Sequence, residues 1–196
     1  MIAIVDYGAG NLNSVKKAFD HLGAEVSVTD AAETVTAADK IVLPGVGHFS
    51  SLRALDRTGL RKALLQATSA GKPFLGICLG MQWLFEGSEE CNELSGAGIF
   101  SGKCQQFPTS VKSPHVGWNS LTVQEGSRLL RGISPDSFVY YTHSYHAAVH
   151  AETTAVSEYG LPFTGTVELE NIFGVQFHPE KSGDVGLSIL KNFCEL

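Results

Sequence analysis

Apolar residues in the first half of the chain form two alternating patterns. A short continuous apolar run at 2–5 predicts a strand that is buried on both faces, and the runs at 26–29, 41–43 and 74–77 predict further strands. Apolar residues at helical spacing lie between these runs and predict helices at 12–22, 52–71 and 79–85. Strands that alternate with helices in this way are typical of an α/β fold, with a parallel sheet covered by helices on both faces.

The second half of the chain is dominated by β-like segments. They lie near 99–107, 121–123, 138–149, 153–157, 164–169 and 172–177, with turn residues between them. A last amphipathic helix is predicted from about residue 184 to 194. We therefore predict an α/β fold, flavodoxin-like in its mostly parallel central sheet flanked by helices, with an added antiparallel β segment. A chain of 196 residues without repeats or linkers is expected to form a single domain over 1–196.

Charge and composition exclude several classes of protein. The net charge is −6 and the 14 Lys and Arg residues are scattered, so no basic stripe is available to bind nucleic acid. The uncharged stretch at 73–85 is shorter than the ~20 residues of a membrane-spanning helix. The first residues lack the basic segment of a secretory signal, and the four cysteines form no CxxC pair. We expect a cytoplasmic location with free thiols, and neither a metal nor a cofactor.

A candidate nucleophile lies between a predicted strand and a predicted helix. Cys78 is the centre of a G-x-C-x-G sequence at 76–80, which is the context of a nucleophile elbow. The flanking glycines leave room for a sharp turn, and the helix that begins at Leu79 presents free backbone N–H groups to the thiol. These N–H groups would stabilise a thiolate, and that of Leu79 could also donate to an oxyanion. A buried cysteine in a glycine-rich turn is the alternative interpretation.

A candidate base follows the last predicted strand. His178 ends the apolar run 172–177, and residues at the carboxyl ends of parallel strands line the functional site. Glu180, two residues further on, could accept a hydrogen bond from the imidazole and leave its other nitrogen free to exchange a proton with the thiol. The order Cys78, His178, Glu180 differs from that of α/β-hydrolases, in which the acid precedes the histidine. The sequence therefore favours a Cys-His-Glu triad of another family.

Six motifs together resemble the class I, triad-type glutamine amidotransferases. They are DYGAGNLNS at 6–14, PGVGHF at 44–49, GICLGMQ at 76–82, HVGWN at 115–119, YYTHSY at 140–145 and FHPEKS at 177–182. The set extends over most of the chain and is similar in particular to the glutaminase subunits of imidazole glycerol phosphate synthase. The resemblance implies the fold of that class and the hydrolysis of glutamine to glutamate and ammonia through a glutamyl-thioester.

The resemblance also implies a partner and a set of site residues. The partner is a (β/α)8-barrel cyclase that forms a heterodimer with the glutaminase and uses the ammonia to make imidazole glycerol phosphate and AICAR from PRFAR in histidine biosynthesis. The implied residues are Cys78, His178 and Glu180 for catalysis; Val46, Gly47 and Leu79 for the oxyanion; Gly45, Gln82, Glu90, Ser144 and Tyr145 for glutamine; and Asn11 and Lys181 for the partner interface.

Other interpretations stay open on the sequence. A dinucleotide fingerprint beginning at Gly8 is disfavoured because Asn13 occupies the position of its third glycine. A metal shared by His143 and His146 is disfavoured because a spacing of three puts strand residues on opposite faces. A binding subunit without turnover, the glutaminase subunit of pyridoxal phosphate synthase, and a paralogous glutaminase that serves another barrel are the remaining alternatives.

Overall fold

A computed structural model describes all residues from Met1 to Leu196. The strands are β1 (Ile2–Val5), β2 (Val26–Thr29), β3 (Lys40–Gly45), β4 (Phe74–Cys78), β5 (Gly87–Ser88), β6 (Lys103–Gln106), β7 (His115–Val123), β8 (Ser137–His143), β9 (Tyr145–His146), β10 (Thr153–Glu158), β11 (Pro162–Leu169) and β12 (Ile172–Val175). The α-helices are α1 (Leu12–His21), α2 (Ala32–Ala37), α3 (Arg53–Arg57), α4 (Leu60–Ser69), α5 (Leu79–Gln82) and α6 (Gly183–Glu195). Short 3-10 helices lie at Phe49–Leu52 and Pro179–Lys181.

Nine of the strands form one central sheet in the order β2-β1-β3-β4-β12-β11-β10-β7-β8. The first five strands of this order pair in parallel, and the others pair antiparallel. A second, small sheet has the order β5-β6-β9. The predicted fold class is therefore confirmed, and the antiparallel segment continues the central sheet beyond β12.

The central sheet separates two apolar cores. On one face, Val15 and Phe19 of α1 pack with Ile189 and Phe193 of α6, and the rings of Phe19 and Phe193 meet edge to face. On the other face, α2 and α4 pack together over Phe74 and its neighbours. Burial of both faces explains why the inner parallel strands β1, β3, β4 and β12 are largely apolar, whereas β2, at the edge of the sheet, is only partly buried.

Several predicted elements differ in extent from those in the structure. The strand predicted over 121–123 begins earlier, at His115 of β7, and that predicted over 138–149 is divided into β8 and β9. The helix predicted over 52–71 is interrupted, because Gly59 has a φ of +76° and separates α3 from α4. The helix predicted over 79–85 is only the single turn α5, and the strand predicted over 99–107 is reduced to β6. The short helix α2 is additional to the predicted elements. None of the helices combines the length and apolar character needed to cross a membrane.

Candidate active site

The carboxyl ends of three neighbouring parallel strands bring the predicted catalytic residues to one edge of the sheet. Gly45 at the end of β3 pairs with Cys78 at the end of β4, and β12, on the other side of β4, leads to His178. Side chains at this edge of a parallel sheet face a common crevice. The order of the strands in the sheet therefore explains how residues a hundred positions apart reach the same site.

Cys78 occupies the sharp turn that the two neighbouring glycines make possible. Its backbone has φ +53° and ψ −106°, a conformation that costs a non-glycine residue free energy and is concentrated at functional sites. A Cβ on Gly76 would lie 2.5 Å from the Gly80 oxygen, and a Cβ on Gly80 would collide with the carbonyl oxygen of Leu43. The G-x-C-x-G sequence is thus required by the close approach of β3, β4 and α5.

His178 and Glu180 form a buried hydrogen-bonded pair. The Nδ1 of His178 lies 2.8 Å from Oε1 of Glu180, and the two side chains are only 2% and 1% exposed. An ionised carboxylate only accepts hydrogen bonds, so the proton of the neutral imidazole is on Nδ1. The buried Nε2 has no hydrogen-bond partner, which leaves it available for proton transfer.

The surroundings of His178 favour its protonated form. Burial lowers the pKa of His178, but the negative charge of a Cys78 thiolate and the bond to Glu180 outweigh burial and raise this pKa to about 10. The imidazolium and the thiolate therefore stabilise each other. Such a pair supplies a nucleophile together with the acid that can protonate a leaving group.

A polar cavity of about 270 Å³ opens beside Cys78. It is lined by Gly47, Cys78, Leu79, Gln82, Glu90, Pro114, Thr142, His143, Ser144 and Tyr145. A larger depression of about 770 Å³ lies over α3 and α4, but neither histidine nor cysteine lines it. Drug-sized ligands fill about 300–1,000 Å³, so the cavity at Cys78 suits a smaller metabolite. The predicted nucleophile Cys78 lines this smaller cavity and not the larger depression.

The predicted substrate residues surround this cavity from several elements. Oε2 of Glu90 accepts a hydrogen bond of 2.7 Å from the Phe49 backbone, which holds the carboxylate at the cavity wall. The Nε2 of Gln82 donates to the carbonyl oxygen of Tyr145 at 3.0 Å. Ser144 and Tyr145 form the wall contributed by the break between β8 and β9. Gly45 lies deeper, buried under the cavity beside Leu79.

The predicted oxyanion residues lie on two sides of Cys78. Leu79 is the first residue of α5, where a backbone N–H has no partner within the helix. Val46 and Gly47 follow β3, and Gly47 lines the cavity with a φ of +94° that favours glycine. The end of β3 and its extension therefore run beside both Cys78 and the start of α5.

Gln176 is a site residue that the sequence analysis missed. Its Nε2 donates to Sγ of Cys78 at 3.6 Å, and its Oε1 accepts from Nε2 of Gln82 at 3.1 Å. The signal was present, because alternate residues of an extended segment point to the same side and Gln176 lies two positions before His178. Gln176 therefore joins the nucleophile to the side chain of Gln82.

The expectation that His143 and His146 lie on opposite faces of a strand is wrong. The strand is interrupted at Ser144, between β8 and β9, so regular alternation does not hold. Both imidazole rings pack against Phe107, with centroids 5.1 and 4.6 Å from its ring. No three His, Cys, Asp or Glu side chains are grouped in a way that could hold a metal ion.

The two residues predicted to contact a partner lie near one another in the fold. Asn11 precedes α1, and its side chain makes no capping hydrogen bond. Lys181 is exposed in the 3-10 helix against which α1 packs, and its Nζ lies 5.8 Å from the ring centre of Tyr140.

Comparison with known proteins agrees with this fold. The family model described as "Glutamine amidotransferase class-I" matches residues 3–196. A solved structure of PurLQS from Thermotoga maritima superposes with a TM-score of 0.77 at 20% identity, covering 99% of this chain and 97% of that chain. A crystal structure titled glutamine amidotransferase superposes with a TM-score of 0.77 at 16% identity, covering 99% and 100%. The chain is a class I glutamine amidotransferase.

Curated relatives define its place within that class. The imidazole glycerol phosphate synthase subunit HisH of Bacillus cereus (strain B4264) is 47% identical over 195 residues, which are 98% of this chain and 93% of that protein. The HisH subunit of Methanothermobacter thermautotrophicus is 46% identical over 197 residues, which are 100% and 98%. The chain belongs to the HisH family of imidazole glycerol phosphate synthase subunits, and the resemblance drawn from the six motifs is confirmed.

Proposed function

We propose that the chain hydrolyses the side-chain amide of glutamine and that Cys78, His178 and Glu180 carry out the reaction. The observation that carries this proposal is the pair of His178 and Glu180, held at 2.8 Å with a free Nε2 at the same sheet edge as the strained Cys78. The relatives named HisH, and the family name glutamine amidotransferase, support glutamine as the substrate.

The reaction follows from the charges of the Cys78 thiolate and the His178 imidazolium. Sγ of Cys78 attacks the amide carbon, and the carbonyl oxygen takes up the displaced electron pair as an oxyanion. His178 gives its Nε2 proton to the nitrogen, ammonia leaves, and a glutamyl-thioester remains on Cys78. His178 then takes a proton from a water molecule, which attacks the thioester and releases glutamate with the thiolate. Glu180 keeps the imidazole oriented and stabilises its positive charge throughout.

The oxyanion is stabilised by backbone donors on both sides of Cys78. We assign the N–H of Leu79 as one donor and a backbone N–H of the Val46–Gly47 segment as the other. Losing one such donor costs about 3–4 kcal/mol of transition-state stabilisation. Because Gly47 tolerates a positive φ, rotation of a peptide in this segment would switch the second donor on or off.

Glutamine is held in the cavity by its charged end. We assign the Glu90 carboxylate to the α-ammonium group, since the two charges are opposite. Ser144 and Tyr145, on the facing wall, bind the α-carboxylate with their polar groups. Gln82 and Gly45 position the side-chain amide close to Cys78, Gln82 from the cavity wall and Gly45 from beneath.

The ammonia is used by a partner. We propose that this partner is a (β/α)8-barrel cyclase that forms imidazole glycerol phosphate and AICAR from PRFAR, in agreement with the synthase named for the relatives. The pathway is histidine biosynthesis, and the two chains work as a heterodimer in the cytoplasm. Residues 1–196 act in it as a single domain.

The surface for this partner is the outer face of β7 and β8, with the adjoining Lys181. Val116 and Trp118 are each 55% exposed on this face, and Phe138 is 58% exposed. Exposed apolar side chains that cluster on one surface mark interaction sites in proteins. Tyr140 lies opposite Trp118 in the β7–β8 pairing and connects the apolar cluster to Lys181.

The proposed function is tested by measuring glutamate released from glutamine, with and without the purified cyclase and the cyclase's nucleotide ligand. We expect slow release by the chain alone and a large stimulation by the loaded cyclase. Stimulation by a different barrel protein only would place the chain in another pathway. Absence of release while the cyclase is bound would leave a binding subunit and contradict the proposal.

Substitutions on the interface are expected to weaken the complex without altering the fold. Trp118→Ala should raise the dissociation constant at least ~10-fold, because buried tryptophans are common hot spots. Lys181→Glu should have an effect of similar size by reversing a charge at the same face. Titration calorimetry with the cyclase measures both variants. Lys62→Glu, on α4 at the far side of the sheet, is the matched control, and equal affinities for all of these variants and the wild type would refute the assignment.

A further inference from the structure

A chain of buried hydrogen bonds connects β7 to the wall of the cavity. Nδ1 of His115 lies 3.0 Å from Nε2 of His143, and Nδ1 of His143 lies 2.9 Å from the carbonyl oxygen of Tyr145. At the other end, Nδ2 of Asn119 lies 3.4 Å from Nε2 of His115. The two histidines are 4% and 6% exposed, so water does not compete for these bonds.

The donors and acceptors in this series of hydrogen bonds allow only one direction of donation, from Asn119 toward the Tyr145 carbonyl oxygen. The Tyr145 carbonyl oxygen can only accept, so Nδ1 of His143 carries its proton and Nε2 accepts. His115 must then donate from Nδ1, which leaves its Nε2 to accept from Asn119. The Asn119 amide is fixed in the matching orientation, because its oxygen accepts from the Ser120 backbone at 2.8 Å and its nitrogen donates to the Glu158 carbonyl at 2.9 Å.

Both imidazoles are neutral in this arrangement. Burial lowers the pKa of His115 to about 4, and burial lowers that of His143 to about 3 although the Tyr145 carbonyl opposes it. The titratable groups that face His143 are His115, His146 and His178, all of which oppose a further positive charge. A proton on Nε2 of His143 would face the donor of His115 and break the chain.

The series of hydrogen bonds ends on the Tyr145 carbonyl oxygen, which also bonds another residue of the site. The Tyr145 carbonyl oxygen accepts a second hydrogen bond from Nε2 of Gln82, whose neighbour Gln176 donates to Sγ of Cys78. Ser144 and Tyr145 line the cavity where β8 ends and β9 begins, and their backbone is also held by β6, since Tyr145 pairs with Gln106 and the Ser144 carbonyl oxygen accepts from the Phe107 N–H at 3.2 Å. The imidazole of His143 therefore adds a side-chain anchor to the cavity wall where β8 gives way to β9.

We propose that His115 and His143 are positioning residues that hold the Ser144–Tyr145 wall in the conformation that binds glutamine. The inference deepens the proposed function and rests on it, since the wall is the part of the cavity assigned to the α-carboxylate. Removing the donor of His115 leaves Nε2 of His143 buried and unpaired, and the wall relaxes to restore a partner. The relaxed wall binds the substrate and the transition state more weakly to the same extent, so KM rises while kcat changes little.

Two amide substitutions at His115 separate this role from simple packing. Asn places its amide nitrogen where Nδ1 of histidine lies, and Gln places it where Nε2 lies. We expect His115→Gln to raise KM for glutamine about 10-fold, with kcat changed less than about 3-fold, and His115→Asn to keep KM within about 3-fold of the wild type. The measurement is steady-state glutamate release by the complex with the loaded cyclase.

His150→Phe is the control for replacing a histidine that packs among aromatic rings and is partly buried. His150 also packs between aromatic rings, those of Phe85 and Phe100, but it is bonded to Glu152 outside the chain of hydrogen bonds. We expect its KM to equal that of the wild type. Melting temperatures of the His115 and His150 variants report any general loss of stability.

The outcomes distinguish this inference from the proposed function. Equal KM values for His115→Gln and His115→Asn would overturn the inference, and so would a loss of kcat and stability at constant KM. A second measurement, nitrogen chemical shifts of the imidazoles in the full chain, must show both histidines protonated on Nδ1. The proposed function itself fails only if the wild-type complex releases no glutamate that depends on Cys78.

Discussion

Cys78→Ala is expected to lower glutamine hydrolysis by at least about 10⁴-fold, because removing the nucleophile of a triad leaves only the catalysis of the remaining site. The alanine side chain fits the space of the thiol, and the strained backbone at this position is equally accessible to both residues. The fold should therefore persist, with a melting temperature close to that of the wild type. Glutamate release by the complex with the loaded cyclase is the measurement.

Supplying ammonia directly provides the control for the Cys78→Ala variant. In the complex, we expect synthase activity from glutamine to disappear and activity from ammonium salts to remain, because the second reaction needs only the partner's site. A variant that still released more than about 1% of the wild-type glutamate would show that the thiol is not the nucleophile. Loss of the ammonia-dependent activity as well would indicate that the complex had not assembled.

Glu180→Gln is expected to lower glutamine hydrolysis about 10³-fold or more, although it changes only one atom and removes a charge. If the amide nitrogen faces His178, it donates to Nδ1 and forces the proton onto Nε2, which is the wrong tautomer. If the amide oxygen faces His178, the amide nitrogen takes the place of Oε2. That position is buried and has no hydrogen-bond partner in the structure, so the N–H groups of the amide would be left without acceptors. Each orientation is therefore unfavourable, and neither supplies the negative charge.

The pH dependence of thiol alkylation reports the same change independently of glutamine. The charge of Glu180 and its hydrogen bond both raise the pKa of His178, so the Gln variant lowers this pKa and weakens the imidazolium that stabilises the thiolate. At neutral pH we expect slower alkylation of Cys78 by iodoacetamide than in the wild type, because a weaker imidazolium stabilises less of the reactive thiolate. Glu180→Asp, which keeps the charge, is the control and should lose less. An alkylation profile unchanged in Glu180→Gln would contradict the ion pair.

The parallel part of the sheet was predictable because the apolar patterns that indicate its strands lie within short segments of the sequence. Each buried parallel strand is a continuous apolar run, and the G-x-C-x-G sequence is imposed by contacts between segments that the same strands bring together. His178 and Glu180 were predictable as a pair for a related reason, since two residues of separation lets the carboxylate reach the imidazole. The interruption at Gly59 was not predicted, because apolar spacing alone continues across a break of one residue.

The histidines near the cavity illustrate the opposite case. His115, His143 and Asn119 come from two strands, and their hydrogen bonds depend on the antiparallel register of β7 and β8. The interruption at Ser144 brings His143 and His146, which regular alternation puts on opposite faces, against the same ring of Phe107. No spacing in the sequence encodes either feature, because each is a relation between segments.

The amino-acid order alone thus determined the class of fold and the family and predicted the triad, since these depend on periodicity and on short motifs along the chain. Only the tertiary structure decided which carbonyl His143 bonds, how Gln176 reaches the thiol, and where the exposed apolar face of β7 and β8 lies beside Lys181. The physical reason is that hydrogen bonds and burial require defined distances between atoms. Those distances exist only after the sheet has set the strand order and register.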